Sequence, residues 1–128
     1  MLAVRCLRIA GVYWIAGIAL GLVMGATETF ALAPVHAHMN LLGWVTLAIA
    51  ALVFTIWPKT ETTRLARAFF WIYNLSLPVM LLALALMLMG RSGFTVVTII
   101  SSVGVFIGAL LFVVNLFIAI PSSAGPGR

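Results

Sequence analysis

Apolar residues fill most of this chain in four long runs, and short polar stretches separate the runs from one another. The runs cover about residues 9–26, 34–57, 66–89 and 94–120. A helix needs roughly 20 residues to cross a hydrocarbon core of about 30 Å, and each run is close to or above that length. We therefore predict an all-α polytopic membrane bundle of four helices, with residues 1–128 forming a single transmembrane domain.

The stretches between the runs contain residues that commonly end or begin helices. A polar segment at 27–29 follows the first run, and Pro34 suits the first turn of the second helix, where a missing backbone N–H costs nothing. Residues 58–64 form the one polar loop of any length, and residues 90–93 predict a tight turn. Residues 121–128 are predicted to be a frayed tail.

Composition supports lipid as the surrounding solvent. Hydrophobic residues make up 65% of the chain and charged residues 7%, whereas a soluble domain carries about a quarter charged residues. Cys6 is the single cysteine, which excludes an intramolecular disulfide and a cysteine-based zinc or iron–sulfur site. Tyr13 and Trp14 near the start of the first run favour a retained membrane anchor over a cleaved signal peptide.

The basic residues are divided unequally between the two ends of the predicted helices. The formal net charge of +5 forms no basic face or stripe, so we expect no nucleic-acid partner. Arg91 is the only basic residue at one end, and the rest collect at the other: Arg5, Arg8, Lys59, Arg64, Arg67 and Arg128. Because basic residues favour the cytoplasmic side, we predict cytoplasmic termini in a bacterial inner membrane, with the start of the second helix on the periplasmic side.

Small and amide side chains predict how the helices pack. Gly17, Gly21 and Gly25 recur every four residues and form a ridge that allows close approach of a neighbouring helix. Gly104 and Gly108 predict a similar notch in the fourth helix. The three asparagines in the predicted spans could join helices by hydrogen bonds or could bind the edge of a cofactor, and they are Asn40, Asn74 and Asn115.

His36 and His38 are the only histidines, and both lie in the first two turns of the second helix. Ionisable residues in a membrane span are costly and are usually functional. Helix geometry places these two about 200° apart, with His36 on the same face as Asn40 and Gly43. One metal ion held by both histidines of one helix is therefore disfavoured, and at least one should face a cofactor or a neighbouring subunit. The alternative is that both contact lipid headgroups.

Imidazole is a common axial ligand of heme, and histidines on facing helices can hold a porphyrin between them. We therefore expect a b-type heme as the cofactor, with Arg91 as the basic residue nearest to its propionates. Copper is the second possibility, with His36, His38 and either Met39 or Met24 as ligands. Glu28 is predicted at the same level, as a metal ligand, a proton-relay group, a partner of a ligating histidine or simply an interfacial acid.

The segment from His36-Ala37-His38 to Gly43-Trp44 resembles motifs in the large catalytic subunit of the heme-copper oxidases. In that family a His-x-His pair on one helix ligates two hemes, one on each side, and another helix supplies the second ligand of the low-spin heme. The large subunit has twelve helices in three arcs of four. The resemblance thus implies that a homotrimer of this chain would mimic the whole subunit, with a respiratory redox partner.

The chain also departs from that family. It has no further histidine for the three-histidine copper site, and Tyr13 and Tyr73 lack the context of the cross-linked oxidase tyrosine. Catalysis of oxygen reduction by one chain is therefore not expected, and whether an oligomer is an oxidoreductase stays open. The function we expect is heme binding for electron transfer or diatomic gas binding, with a copper-binding or accessory subunit of a respiratory oxidase as the alternative. A channel is disfavoured because no charged pathway crosses the spans.

Overall fold

The computed structural model describes residues 1–120, so the predicted tail at 121–128 and its Arg128 lie outside the described residues. The described chain is helical apart from short connections. We number its α-helices in chain order: α1 Leu2–Thr27, α2 Ala33–Ile56, α3 Pro58–Glu61, α4 Arg64–Leu88 and α5 Thr95–Ala119. A 3₁₀ turn, Ser92–Phe94, leads into α5.

The four long helices confirm the predicted all-α architecture, and each is long and apolar enough to cross a membrane. The main difference is that α1 begins at Leu2 rather than near Ile9. Arg5 and Arg8 therefore lie within the helix, with exposed side chains. The apolar run in the sequence ends at these two arginines. The helix continues past them, because their side chains extend away from the backbone and leave its hydrogen bonds intact.

The middle of α2 is wound more loosely than an α-helix, since Met39–Val45 is a π-helical segment. The backbone N–H of Thr46 donates to the carbonyl of Leu41, five residues earlier. The carbonyl of Leu42 thereby loses its usual α-helical donor, and the hydroxyl of Tyr73 on α4 donates to it at 3.0 Å. A carbonyl freed inside a membrane helix is thus satisfied by a neighbouring helix.

An aromatic cluster joins α2, α4 and α5. Phe54 lies edge-on to Phe69, with ring centroids 6.3 Å apart, and edge-on to Phe112 at 5.9 Å. Phe69 and Phe112 approach to 4.9 Å, and all three rings are buried. Edge-to-face pairs of this kind add attraction beyond the burial of apolar area.

The small-residue ridges lie where helices approach closely. A Cβ added at Gly108 would come within 2.9 Å of the Cβ of Tyr73 on α4, which confirms the predicted notch in α5. The α1 ridge is in close contact with α2 at Gly17 and Gly21 but has open space at Gly25. The predicted ridge therefore packs over only part of its length.

The amino terminus, α3 and the end of α5 share one end of the bundle, which we call the basic end. The amino group of Met1 lies 3.6 Å from Glu61 Oε1, and Asn115 near the end of α5 donates to the carbonyl of Thr60 at 2.9 Å. The opposite end, which we call the histidine end, contains the connection from α1 to α2. This arrangement agrees with the predicted topology, while the side of the membrane that each end faces remains a prediction.

Candidate functional site at the histidine end

His36 lies against α1. Its Nδ1 is 2.9 Å from the carbonyl oxygen of Gly17, and its side chain is half-buried. The imidazole ring covers Gly21, where an added Cβ would be 2.9 Å from the ring carbon Cε1. The two glycines therefore create the space in which the imidazole sits between the helices.

His38 points the other way. Its side chain is exposed, and its Nδ1 is 2.7 Å from the carbonyl oxygen of Pro34, one turn earlier on the same helix. Val45 and Ile49, which share its side of α2, are also exposed. The prediction that the two histidines face opposite directions is confirmed, because only His36 faces a neighbouring helix of the same chain.

Both imidazoles face a carbonyl oxygen with Nδ1, and this fixes their tautomer. A carbonyl oxygen only accepts hydrogen bonds, so Nδ1 must carry the proton in each ring. In a neutral imidazole the lone pair is then on Nε2. Metal-ligating histidines are commonly held in this way, with one ring nitrogen donating to a carbonyl and the other free to coordinate.

Asn40 shares the interface between α1 and α2 with His36. Its Nδ2 donates to the His36 carbonyl at 2.8 Å and lies 3.4–3.5 Å from the two nitrogens of the imidazole ring. The amide also packs on Gly17, where an added Cβ would be 2.7 Å from its polar atoms. Asn40 therefore limits the movement of the His36 ring, and its contacts are with protein groups.

The other predicted site residues are at the same end but are not joined to the histidines. Glu28 is exposed and caps α1 in the left-handed conformation, with φ 50° and its backbone N–H donating to Met24. Met39 is half-buried and packs against the hydrophobic core. Arg91 is exposed in the turn before α5. Within residues 1–120, no hydrogen bond or ion pair connects the Glu28 carboxylate or the Arg91 guanidinium to either imidazole.

Sequence reasoning did not identify the carbonyl groups that orient the imidazoles. The carbonyl of Pro34 had a usable signal, since residues four apart on a helix are neighbours and His38 is four residues after Pro34. The carbonyl of Gly17 had only an indirect sequence signal. The glycine ridge indicates a close helix contact, but it does not identify the residue on the neighbouring helix that occupies the space.

The donor set bears on which metal group fits this end. Among the residues that the structure describes, no group of three or more His, Cys, Asp or Glu side chains lies close enough to hold a metal ion. A bare copper ion would therefore also draw on methionine, such as Met39, or on ligands from a second chain. Heme needs fewer protein ligands, because the porphyrin itself supplies four nitrogens and leaves one or two axial positions for imidazole.

Comparisons with protein-family models, with curated proteins and with solved structures find no match to this chain.

Proposed function

We propose that this protein binds a b-type heme in the membrane, with His36 and His38 as axial ligands, for electron transfer or the binding of a diatomic gas. The observation that supports this most directly is the orientation of the two imidazoles. Each donates Nδ1–H to a backbone carbonyl, at 2.9 Å for His36 and 2.7 Å for His38. This leaves the Nε2 lone pair of His38 available for coordination, whereas that of His36 also faces the Asn40 amide at 3.5 Å.

His38 is the stronger candidate of the two. Its exposed ring requires no movement of the protein to reach a flat apolar group, and exposed Leu41, Val45 and Ile49 surround this part of α2 with hydrophobic surface. His36 is held at the seam between α1 and α2, so its coordination would require access along that seam. When bound by two imidazoles, heme would serve as an electron carrier, and a single axial imidazole would leave one position for a gas molecule.

The opposed histidines also favour an oligomer. One α2 helix does not direct both rings at one heme, so a bis-histidine site would take its two ligands from different protomers. The resemblance to the heme-copper oxidases favours a homotrimer, in which twelve helices would surround the shared sites. Arg91 and Asn40 are proposed to contact the cofactor from the same end of the bundle, Glu28 and Met39 are further candidate ligands, and a respiratory redox protein is the proposed partner.

The test is the absorption spectrum of the protein purified from cells supplied with heme. We expect a Soret band and a sharp α band on reduction, and a loss of at least tenfold in bound heme per protein in His38→Ala. His36→Ala should lower heme binding or shift the spectrum of the heme that remains. Leu52→Ala is the matched control, because it removes a similarly exposed leucine of α2 that lies away from the surface around His38, without removing a nitrogen ligand.

A colourless protein that contains no iron would refute the proposal. Elemental analysis then separates the outcomes, since stoichiometric copper that disappears in His38→Ala would support the copper-binding alternative. Stable co-purification with a larger oxidase, in the absence of any metal in this chain, would support an accessory subunit. Sedimentation in detergent measures the number of protomers separately from the metal content.

A further inference from the structure

A second candidate site lies far from the histidines, in a groove between α1 and α4. Its volume is about 400 Å³, and it opens to the outside of the bundle in the half that includes the basic end. We call it the basic groove, and it is lined by Arg5, Arg8, Ile9, Phe70, Trp71, Asn74 and Leu75. Apart from the two guanidinium groups and the Asn74 amide, these lining side chains are apolar or aromatic.

The charge at the mouth of the basic groove is not balanced by a side chain of residues 1–120. Arg5 and Arg8 are three residues apart, so they share a face of α1, and both are exposed. The chain has two acidic residues, and Glu28 is at the histidine end. Glu61 is near Arg5, but in the described chain its carboxylate pairs with the amino group of Met1 and also accepts from the N–H of Leu2. An occupant of the groove should therefore be an anion.

The apolar lining of the basic groove indicates that the occupant also has a hydrophobic part. Trp71 and Leu75 are exposed by 57% and 62% and stand on one side of an open apolar channel, which suits a hydrocarbon chain. Arginine pairs well with phosphate oxygens, and tryptophan is favoured at the level of lipid headgroups. A second copy of this chain fits less well, because its acidic residues are the same two and neither supplies a spare carboxylate at this level.

We propose that the basic groove binds an anionic phospholipid, with its phosphate on Arg5 and Arg8 and an acyl chain along Ile9, Trp71 and Leu75. Basic pockets between membrane helices are a known way to hold anionic headgroups. This site is independent of heme, since it is formed by α1 and α4 rather than by the histidine turn of α2. The bound lipid would fill the seam between the two helices.

Native mass spectrometry of the detergent-solubilised protein, titrated with phosphatidylglycerol or phosphatidylcholine, tests the proposal. We expect tighter binding of phosphatidylglycerol, weakened about fivefold by Arg5→Gln or Arg8→Gln and about 25-fold by the double variant. The matched control is Lys59→Gln with Arg64→Gln, which removes the same charge from exposed residues near the basic end that do not line the groove. Its binding should stay within twofold of the unmodified protein.

A third variant tests the acyl channel without changing the charge. Leu75→Trp should partly fill the groove and weaken phosphatidylglycerol binding at least threefold, while both arginines remain. Equal weakening by the control pair would overturn the proposal in favour of general surface attraction. Equal affinity for the two lipids would also overturn it. Displacement of the lipid by soluble glycerol phosphate, combined with no effect of Leu75→Trp, would indicate a site for free phosphate instead.

Discussion

The two ends of this bundle treat their polar side chains in opposite ways. At the basic end Asn115 is fully buried, and its amide is used in both directions, donating to the Thr60 carbonyl at 2.9 Å and accepting from the Thr63 hydroxyl at 2.7 Å. At the histidine end each imidazole has one nitrogen bonded to a backbone carbonyl, and the lone pair of the other nitrogen stays available in His38 and faces only the Asn40 amide, at 3.5 Å, in His36. The first arrangement is closed, whereas the second retains capacity for a ligand.

This difference separates structural polar groups from candidate functional ones. Burying a polar group in an apolar medium is costly unless it is hydrogen-bonded, so a closed network such as that of Asn115 is what helix packing requires. Helix packing does not require an imidazole with one nitrogen left without a strong hydrogen bond, and still less an imidazole that is exposed. The asparagine and the histidines are all costly residues in a membrane span, and their hydrogen bonds tell them apart.

The largest effect on stability should come from opening the closed network. Asn115→Ala removes the donor to the Thr60 carbonyl and the nearest acceptor of the Thr63 hydroxyl, and leaves these two groups only a long contact with each other at 3.4 Å. We expect a loss of about 1–3 kcal/mol in the free energy of unfolding, measured by denaturation in mixed detergent micelles. Heme content per folded protein should be unchanged, because the substitution is at the opposite end from the histidines.

Asn74→Ala is the control for this prediction. The Nδ2 of Asn74 donates to the Phe70 carbonyl on its own helix, and its buried Oδ1 has no partner within the described chain. Its removal should therefore cost well under half of the loss in Asn115→Ala. Equal losses in the two variants would show that any asparagine in these spans is stabilising, and that the closed network has no special role.

The architecture could be predicted from the sequence because it follows from hydropathy and charge, which can be summed over successive residues of the chain. Four apolar runs and the uneven basic residues define four helices and the ends that they share. The start of α1 could not be placed in the same way, because Arg5 and Arg8 lower hydropathy without interrupting the helix. The π-helical segment Met39–Val45 had no sequence signal, since the carbonyl that it frees, that of Leu42, is satisfied by Tyr73 of another helix.

The candidate site was predictable in part for the same reason. Opposite directions for His36 and His38 follow from the helical repeat alone, and the structure agrees because the segment Ala33–His38 is regular α-helix. The partner of His36 lies on another helix and the partner of His38 lies one turn earlier on α2, so spacing on α2 could supply only the second. Asn115 shows the same limit, as its partners are Thr60 in α3 and Thr63 at the start of α4, which are 55 and 52 residues away.

A smaller effect should separate the occupied part of the glycine ridge from the open part. Gly21→Ala places a Cβ 2.9 Å from His36 Cε1, so the imidazole must shift, whereas Gly25→Ala meets nothing within 4 Å. Both variants gain helix propensity, which cancels in the comparison. We expect Gly21→Ala to be less stable than Gly25→Ala by about 1 kcal/mol, and heme binding to weaken in Gly21→Ala alone.

Unfolding in detergent and the Soret absorbance measure the two parts of this prediction separately. Loss of stability without any change in heme binding would indicate that the position of the His36 ring is irrelevant to the cofactor, and would leave His38 as the sole ligand from each chain. Heme loss in Gly25→Ala as well would contradict the role assigned to the contact between Gly21 and His36.

The smallest effect is expected between the two ends, where the hydroxyl of Tyr73 supports the π-helical segment. Tyr73→Phe removes the donor to the Leu42 carbonyl, and single hydrogen bonds in membrane bundles contribute about 0.6 kcal/mol on average. We expect a loss of that size, with faster amide hydrogen exchange in Met39–Val45. Tyr13→Phe is the control, because within residues 1–120 the Tyr13 hydroxyl makes no hydrogen bond while its ring packs on Gly43. Equal exchange rates in the two variants would mean that side-chain packing alone maintains the π-helical turn, and that the bond from α4 is a consequence of this turn.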